Sequence, residues 1–314
     1  MTEAKVQTPK RPLLAVIFLS PNEPRLRAGW RLLAQTFAMF IIAIPFSLLV
    51  IISMLAMEAQ WQLLVSEVVE LIVLTASIFL ARRFLDRRSI ASLGLKLDGR
   101  VGKDILAGIG ITFTMMAMVF ATMSAAGWLT FEGFAWETEP ITQVLGGTFT
   151  FLFVFILVGW NEELLSRGYH LQTIASGINL FWGLMLSSAV FGILHLSNPG
   201  ATWVSTAGIF LAGLFLAYGY LRTGQLWLSI GLHIGWNFFE GVVFGFPVSG
   251  LDIYPLTRIQ VQGPQVWTGG AFGPEAGLVI LPAMLIGASL IFLYTRNRRA
   301  VKFGPAEIRL TSGG

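Results

Sequence analysis

The sequence predicts an all-α polytopic membrane protein, a transmembrane bundle of about eight helices, and three observations carry that expectation. First, hydrophobic residues make up 55% of the 314-residue chain and charged residues only 12%, with a mean hydropathy of +0.72. A soluble domain usually carries about 25% charged residues to keep its surface solvated, so half that charge points to lipid as the solvent. Second, apolar runs long enough to cross a bilayer, about 20 residues at 1.5 Å rise each, recur along the chain. Third, the basic residues fall in the tails and in alternate connections between those runs.

Residues 1–28 read as a basic, Pro-punctuated tail, 29–295 as the transmembrane domain and 296–314 as a second basic tail. Within the domain the apolar segments lie near 32–57, 61–81, 105–128, 141–162, 180–197, 203–221, 226–246 and 276–295. The first is too long for a cleaved signal peptide and lacks a small-residue cleavage site at its end. Between the second and third, residues 82–104 form a charged connector, expected as an interfacial helix followed by a turn at Asp98-Gly99. The fourth and fifth segments are joined by a turn expected around Ser176-Gly177-Ile178-Asn179. In the sixth, Gly208/Ala212 and Gly213/Ala217 place small residues four apart, which lets neighbouring helices approach closely. The Gly- and Pro-bearing stretch 247–275 is the longest outer loop and is expected to fold over the bundle.

Orientation follows from charge. An eight-span arrangement puts every Lys and Arg except Arg258 on one side, from Lys5, Lys10, Arg11, Arg25, Arg27 and Arg31 in the N-terminal tail to Arg296, Arg298, Arg299, Lys302 and Arg309 after the last span. The opposite side holds Glu132, Glu137 and Glu139. Both termini are therefore expected in the cytoplasm, and the net charge of +4 reflects headgroup anchors rather than a nucleic-acid partner. With no cysteine in the chain, disulfides, thiolate metal sites and cysteine nucleophiles are excluded.

Ionisable residues inside apolar segments are expensive and mark functional sites. Glu162, Glu163 and Arg167 close the fourth segment, His195 ends the fifth, and His233 and Asn237 lie in the seventh. Glu163/Arg167, Phe191/His195 and His233/Asn237 are each i, i+4 pairs, stacked on one helix face. Glu162 and His195 stand nearly equidistant from the 176–179 turn, each roughly 24 Å along its helix, so antiparallel packing sets them level. That depth requires the hairpin tip, about 168–178, to project into the cytoplasm, with His170 solvated. His233 lies roughly 13 Å past Gly224 by the same rise, and the three side chains are expected to converge in the cytoplasmic half of the bilayer. A carboxylate and two imidazoles in a dry pocket suit activation of water. Glu162 could take a proton from a water also held by His195, and His233 with the Asn237 amide could donate to the resulting oxyanion. Glu163, Arg167 and Phe191 would support them. Glu67, Glu70 and Glu240 are expected near the outer headgroups.

Glu162-Glu163-x-x-x-Arg167, Phe191-x-x-x-His195 and His233-x-x-x-Asn237, in this order on separate apolar helices, resemble the signature motifs of the CPBP family of CAAX prenyl endopeptidase-like and bacteriocin-processing (ABI) membrane proteases. The resemblance covers roughly 105–246, expected as the protease core, and Leu93-Gly94-Leu95 is also typical of it. It implies an eight-helix bundle with a membrane-embedded cavity and metal-independent peptide hydrolysis, with Glu162 as base, His195 its partner, and His233 and Asn237 on the oxyanion side. Its prokaryotic members suggest a prokaryotic plasma membrane. The implied partner is a membrane-associated peptide or protein, prenylated or not, reached from the bilayer; cofactors are expected to be absent, and the oligomeric state is left open. Three other functions compete. One is a zinc centre with Glu162, His195 and His233 as ligands. Another is a proton- or ion-coupled transporter using Glu67, Glu70 and Glu240. The last is a non-catalytic membrane scaffold or immunity protein.

Overall fold

A computed structural model describes residues 12–298 apart from 22 and 24; tail positions Lys5, Lys10, Arg11, Arg299, Lys302 and Arg309 lie outside the described residues. After a short helix at Leu13–Phe18 come eight apolar helices: α1 (Ala28–Ala56), α2 (Ala59–Leu80), α3 (Val101–Ala125), α4 (Ile141–Glu163), α5 (Leu180–Leu194), α6 (Trp203–Thr223), α7 (Trp227–Asn237) and α8 (Ile280–Thr295). Lipid offers the backbone no hydrogen bonds, so a spanning segment must satisfy its own amides, and an uncapped apolar run becomes a helix.

Among the described residues six helical stretches are long and apolar enough to cross a membrane. α8 is shorter, at 16 residues, and α7, at 11 residues, is prolonged by the six-residue π-helix Phe238–Val243. The lipid-facing sides are apolar and open: Leu33, Phe37, Ile44 and Leu55 of α1 are all exposed.

The turn between α4 and α5 falls where the sequence places it, with Gly177 ending one helix and the Asn179 side chain accepting from Trp182 N to begin the next. The stretch before it differs. α4 runs on as a π-helix, Leu164–Leu171, and then one α turn, Gln172–Gly177. This tip does not project freely. Arg167, Tyr169 and Leu171 are buried, and His170 is half-buried rather than solvated. The connector after α2 folds over the tip: Gln172 Nε2 donates to Leu93 O (3.0 Å) and Arg82 Nη2 donates to Gln172 Oε1 (2.8 Å).

The connector forms no interfacial α-helix. It is a π turn (Ala81–Leu85), a 3-10 turn (Ile90–Leu93) and a turn at 98–100, where Arg100 N donates to Asp98 Oδ1 (2.8 Å). Gly94, at φ 95°, ends the 3-10 turn and lets its carbonyl accept from Leu226 N (2.8 Å) at the start of α7. Leu93 and Leu95 thereby enter a core with Leu164, Tyr169 and Leu226, so apolar burial holds the connector flat.

At the opposite end the all-α expectation meets one exception. β1 (Leu129–Phe134) pairs antiparallel with β2 (Thr257–Val261), with a bulge between Phe131 and Gly133. This ribbon ties the α3–α4 connection to the 247–275 stretch, expected as the outer loop, which packs against this end of the bundle. Glycines let α3 and α7 pack backbone to backbone. A Cβ on Gly231 would lie 2.3 Å from Ile105 O, and one on Gly108 2.4 Å from Leu232 N. The small residues of α6 act similarly: Gly213 packs on Ser188 of α5, and Gly208 on the Glu275 carbonyl.

Candidate active site

α4 is anchored before it reaches the site. Trp160 Nε1 donates to Thr75 Oγ1 (2.9 Å), and buried Asn161 donates through Nδ2 to Glu67 O (3.2 Å) and Glu67 Oε2 (3.1 Å), all on α2. Glu162, the next residue, faces a cavity of about 480 Å³ between the helices, also lined by His195, His233 and Asn237. The four residues singled out in the sequence are thus brought together.

Glu162 Oε2 stands 3.8 Å from His195 Nε2 and 3.8 Å from His233 Nε2. That separation is longer than a hydrogen bond and suits one water bridging the groups. The far side of each ring is fixed. His195 Nδ1 lies 2.8 Å from Phe191 O; a carbonyl only accepts, so Nδ1 donates to it and Nε2 is the nitrogen turned toward Glu162. His195 itself sits where α5 gives way to a 3-10 turn. His233 Nδ1 is 2.9 Å from Glu163 Oε1.

Glu163 faces away from the cavity and is wholly buried. Its Oε1 also accepts from Arg167 Nη1 (2.7 Å), while Arg167 Nη2 donates to Gly213 O (2.8 Å) on α6. The Arg167 guanidinium lies 4.5 Å from the centre of the Phe191 ring. One chain of contacts therefore runs from α6 through Arg167 and Glu163 to His233. Glu162 and Glu163 are adjacent in sequence but differ in role: one opens to the cavity, the other is sealed against a cation. Asn237, one turn beyond His233, is buried and lines the cavity, and its amide has no hydrogen-bond partner among the described residues.

Three features escape the sequence reading. Glu67 and Glu70, which the sequence reading expected near the outer headgroups, line the cavity, and Asn161 of α4 holds Glu67 there through both its carbonyl and its carboxylate. Glu240, unlike them, is fully buried, close against Gly273 of the outer loop. The outer loop supplies part of the cavity wall through Ser249 and Glu275. Glu275 Oε2 accepts from Ser249 N (2.8 Å) and Ser249 Oγ (2.6 Å), and Ser249 O accepts from Asn198 Nδ2 (3.0 Å), three residues after His195. Burial pushes the Glu275 carboxyl above its ordinary range, while the Ser249 hydroxyl and then the two site histidines pull it back. No local motif marks Ser249 or Glu275; only their lying in a Gly-rich outer loop hinted at a covering role. Among the described residues no group of three or more His, Asp or Glu side chains is placed to hold a metal ion.

Fold and site define a class: a polytopic helical membrane protein with a carboxylate, two imidazoles and an amide around a cavity inside the bundle. Residues 144–239 match the family model Rce1-like, described as type II CAAX prenyl endopeptidase Rce1-like. The match agrees with the CAAX protease-like family that the motifs resemble, and it points to a membrane protease. The matched segment runs from α4 into the π-helical end of α7 and contains Glu162, His195, His233 and Asn237; it is narrower than the expected core of 105–246. No curated protein and no solved structure matches the chain.

Proposed function

We propose that this chain is an intramembrane, metal-independent endopeptidase that hydrolyses a peptide bond of a membrane-associated protein or peptide, with Glu162 as general base. The observation that carries the proposal is the position of Glu162 Oε2, 3.8 Å from the Nε2 atoms of both His195 and His233. A water between them donates one hydrogen to Glu162 and the other to the lone pair of His195 Nε2, leaving its own lone pair free for the substrate carbonyl. As the C–O bond forms, Glu162 takes the proton. The carbonyl oxygen becomes an oxyanion and accepts from the Asn237 amide and from His233 when that ring carries a proton on Nε2, the charge then balanced by Glu163. Collapse breaks the C–N bond, and Glu162 returns the proton to the leaving amine.

Apolar walls from Leu63, Val154, Phe155 and Val158 suit an extended apolar segment entering from the bilayer. Both termini and the 81–104 connector face the cytoplasm in this proposal, since Arg25, Arg31, Arg82 and Arg88 gather at the α4–α5 turn while Arg258 lies on β2. His233 is six residues into α7, roughly 9 Å, a depth that supports a cavity in the cytoplasmic half. Labelling of a cysteine at 162 from outside only would overturn that placement.

The test of function compares purified wild type with Glu162→Gln in nanodiscs, each given membrane-anchored and prenylated peptides, with and without chelator, and read by mass spectrometry. Chelator-indifferent cleavage by wild type alone establishes the glutamate mechanism. Cleavage lost with chelator and restored by zinc selects the metal centre instead, and cleavage by both proteins moves the base elsewhere. The transporter reading gains one observation, since Glu67 and Glu70 line the same cavity as the histidines; it predicts flux that stops in Glu67→Gln without any bond cleavage.

A further inference from the structure

Outside the cavity lining, where the short helix Leu13–Phe18 and the start of α1 meet the connector after α2, four arginines converge on two carboxylates. Asp86 is the hub. It pairs with Arg31 and with Arg82 (3.0 Å), and Arg25 Nη1 stands 3.7 Å away. Glu23 binds Arg25 (2.6 Å) and approaches Arg88 (3.6 Å). The Arg side chains are all less than a tenth exposed, and Asp86 is fully covered.

These six residues carry four positive and two negative charges, a surplus of two cations in a dry cluster. A buried charge without a counter-charge costs several kcal/mol, so the surplus calls for an anion. The donors for one are present. Arg82 is fully engaged, with Ser92 and Gln172 as well as Asp86. By contrast, Arg25 Nη1, which only approaches Asp86, and Arg31 Nε are buried and make no hydrogen bond among the described residues. Burial, together with neighbouring guanidinium groups, pushes Arg25 below its ordinary range and Arg88 down to about 10, the response of cations short of partners.

The position identifies the chemistry. The cluster borders the apolar helix Leu13–Phe18, whose Leu13 and Leu14 are largely exposed. Trp30 of α1 donates through Nε1 to Ile17 O (3.1 Å) and packs on Phe18. An exposed apolar turn, an interfacial tryptophan and a surplus of arginine together match the headgroup layer, where acyl chain, glycerol and phosphate lie within one helix diameter. Guanidinium groups are suited to the two free oxygens of a phosphodiester.

We propose that the Arg25–Arg31–Arg88 face of this cluster is a binding site for a phosphate group, occupied in the membrane by the headgroup of an anionic phospholipid. The test uses the full chain, purified in detergent and stripped of lipid. Dioctanoyl phosphatidylglycerol, dioctanoyl phosphatidylcholine and inorganic phosphate are each titrated against wild type and against Arg25→Gln and Arg88→Gln. Binding is read by native mass spectrometry and by the thermal midpoint. Phosphatidylglycerol binds wild type and raises its midpoint, phosphatidylcholine binds far more weakly, and either substitution weakens the anionic lipid about tenfold, the loss of one charged hydrogen bond.

Inorganic phosphate matching phosphatidylglycerol would support the same site with free phosphate as its ligand. Equal binding of phosphatidylglycerol to wild type and Arg88→Gln, or no binding by any anionic probe, would overturn the proposal. Arg88 only approaches Glu23, so removing this surplus cation leaves lipid-free Arg88→Gln at least as stable as wild type. Should one fail to fold, the contrast between the two lipids on wild type still decides.

Discussion

Arg167 is the residue whose removal tests the architecture behind the site most sharply. Its guanidinium is 1% exposed and does three things: it donates to Glu163 at 2.7 Å, donates to Gly213 O at 2.8 Å, and covers the Phe191 ring at 4.5 Å. Replacing it with leucine keeps an apolar body in the space but leaves Glu163 buried opposite no full cation. Breaking one partner of a buried ion pair costs about 3–5 kcal/mol, with the cation–π contact contributing about 0.5–2 kcal/mol where it is desolvated. Most of the loss belongs to Glu163 rather than to Arg167. The double variant Glu163→Gln/Arg167→Leu should therefore be more stable than Arg167→Leu alone, with a coupling within the 0.5–3 kcal/mol seen for contacting residues. Unfolding in detergent, followed by helical signal against denaturant, measures both. A loss under about 1 kcal/mol in Arg167→Leu, or a double variant no better than the single one, would refute the view that Arg167 neutralises Glu163.

Other expectations follow from named contacts. Glu162→Gln removes the proposed base but no hydrogen bond, so cleavage should vanish while the thermal midpoint stays close to wild type; equal loss of both would make Glu162 structural. Gly231→Ala drives a methyl to 2.3 Å from Ile105 O and should cost about 1–3 kcal/mol as overpacking, read from the unfolding midpoint. Glu275→Ala strands the Ser249 amide and hydroxyl, at about 1–3 kcal/mol, and should speed hydrogen exchange across 247–251 while leaving α3 and α7 protected. Asp86→Ala leaves Arg31 and Arg82 buried without their counter-charge and should lower stability more than Arg88→Gln does, measured in the same detergent.

Eight apolar runs and the turn at 176–179 were legible in the sequence because lipid forces each run into a helix and because Gly177 and Asn179 punctuate the chain. Glu162, His195, His233 and Asn237 were legible for a related reason: a polar side chain inside such a run stands out against its neighbours. The small-residue steps at Gly208 and Gly213 also declared a close approach, though not the partner, which is the outer loop in one case and α5 in the other. The flat connector, the buried tip at 167–171 and the β1–β2 ribbon were not legible. Each depends on contacts between residues far apart, such as Gln172 with Leu93 or Phe134 with Thr257.

What the sequence by itself determined is therefore the solvent, the helices and the identity of the polar residues inside them, since these follow from hydropathy and from spacing along one chain. Which way each polar residue faces was decided only by tertiary structure. Glu162 and Glu163 differ by about 100° around the α4 axis, and the anchoring of Trp160 and Asn161 on α2 determines which of them meets the cavity. The same Asn161 contact holds Glu67 at the site, and the fold of the outer loop brings Ser249 and Glu275. The physical reason is that helix periodicity relates residues only within a segment, whereas the rotation and depth of one helix against another are set by packing and hydrogen bonds that no single segment contains.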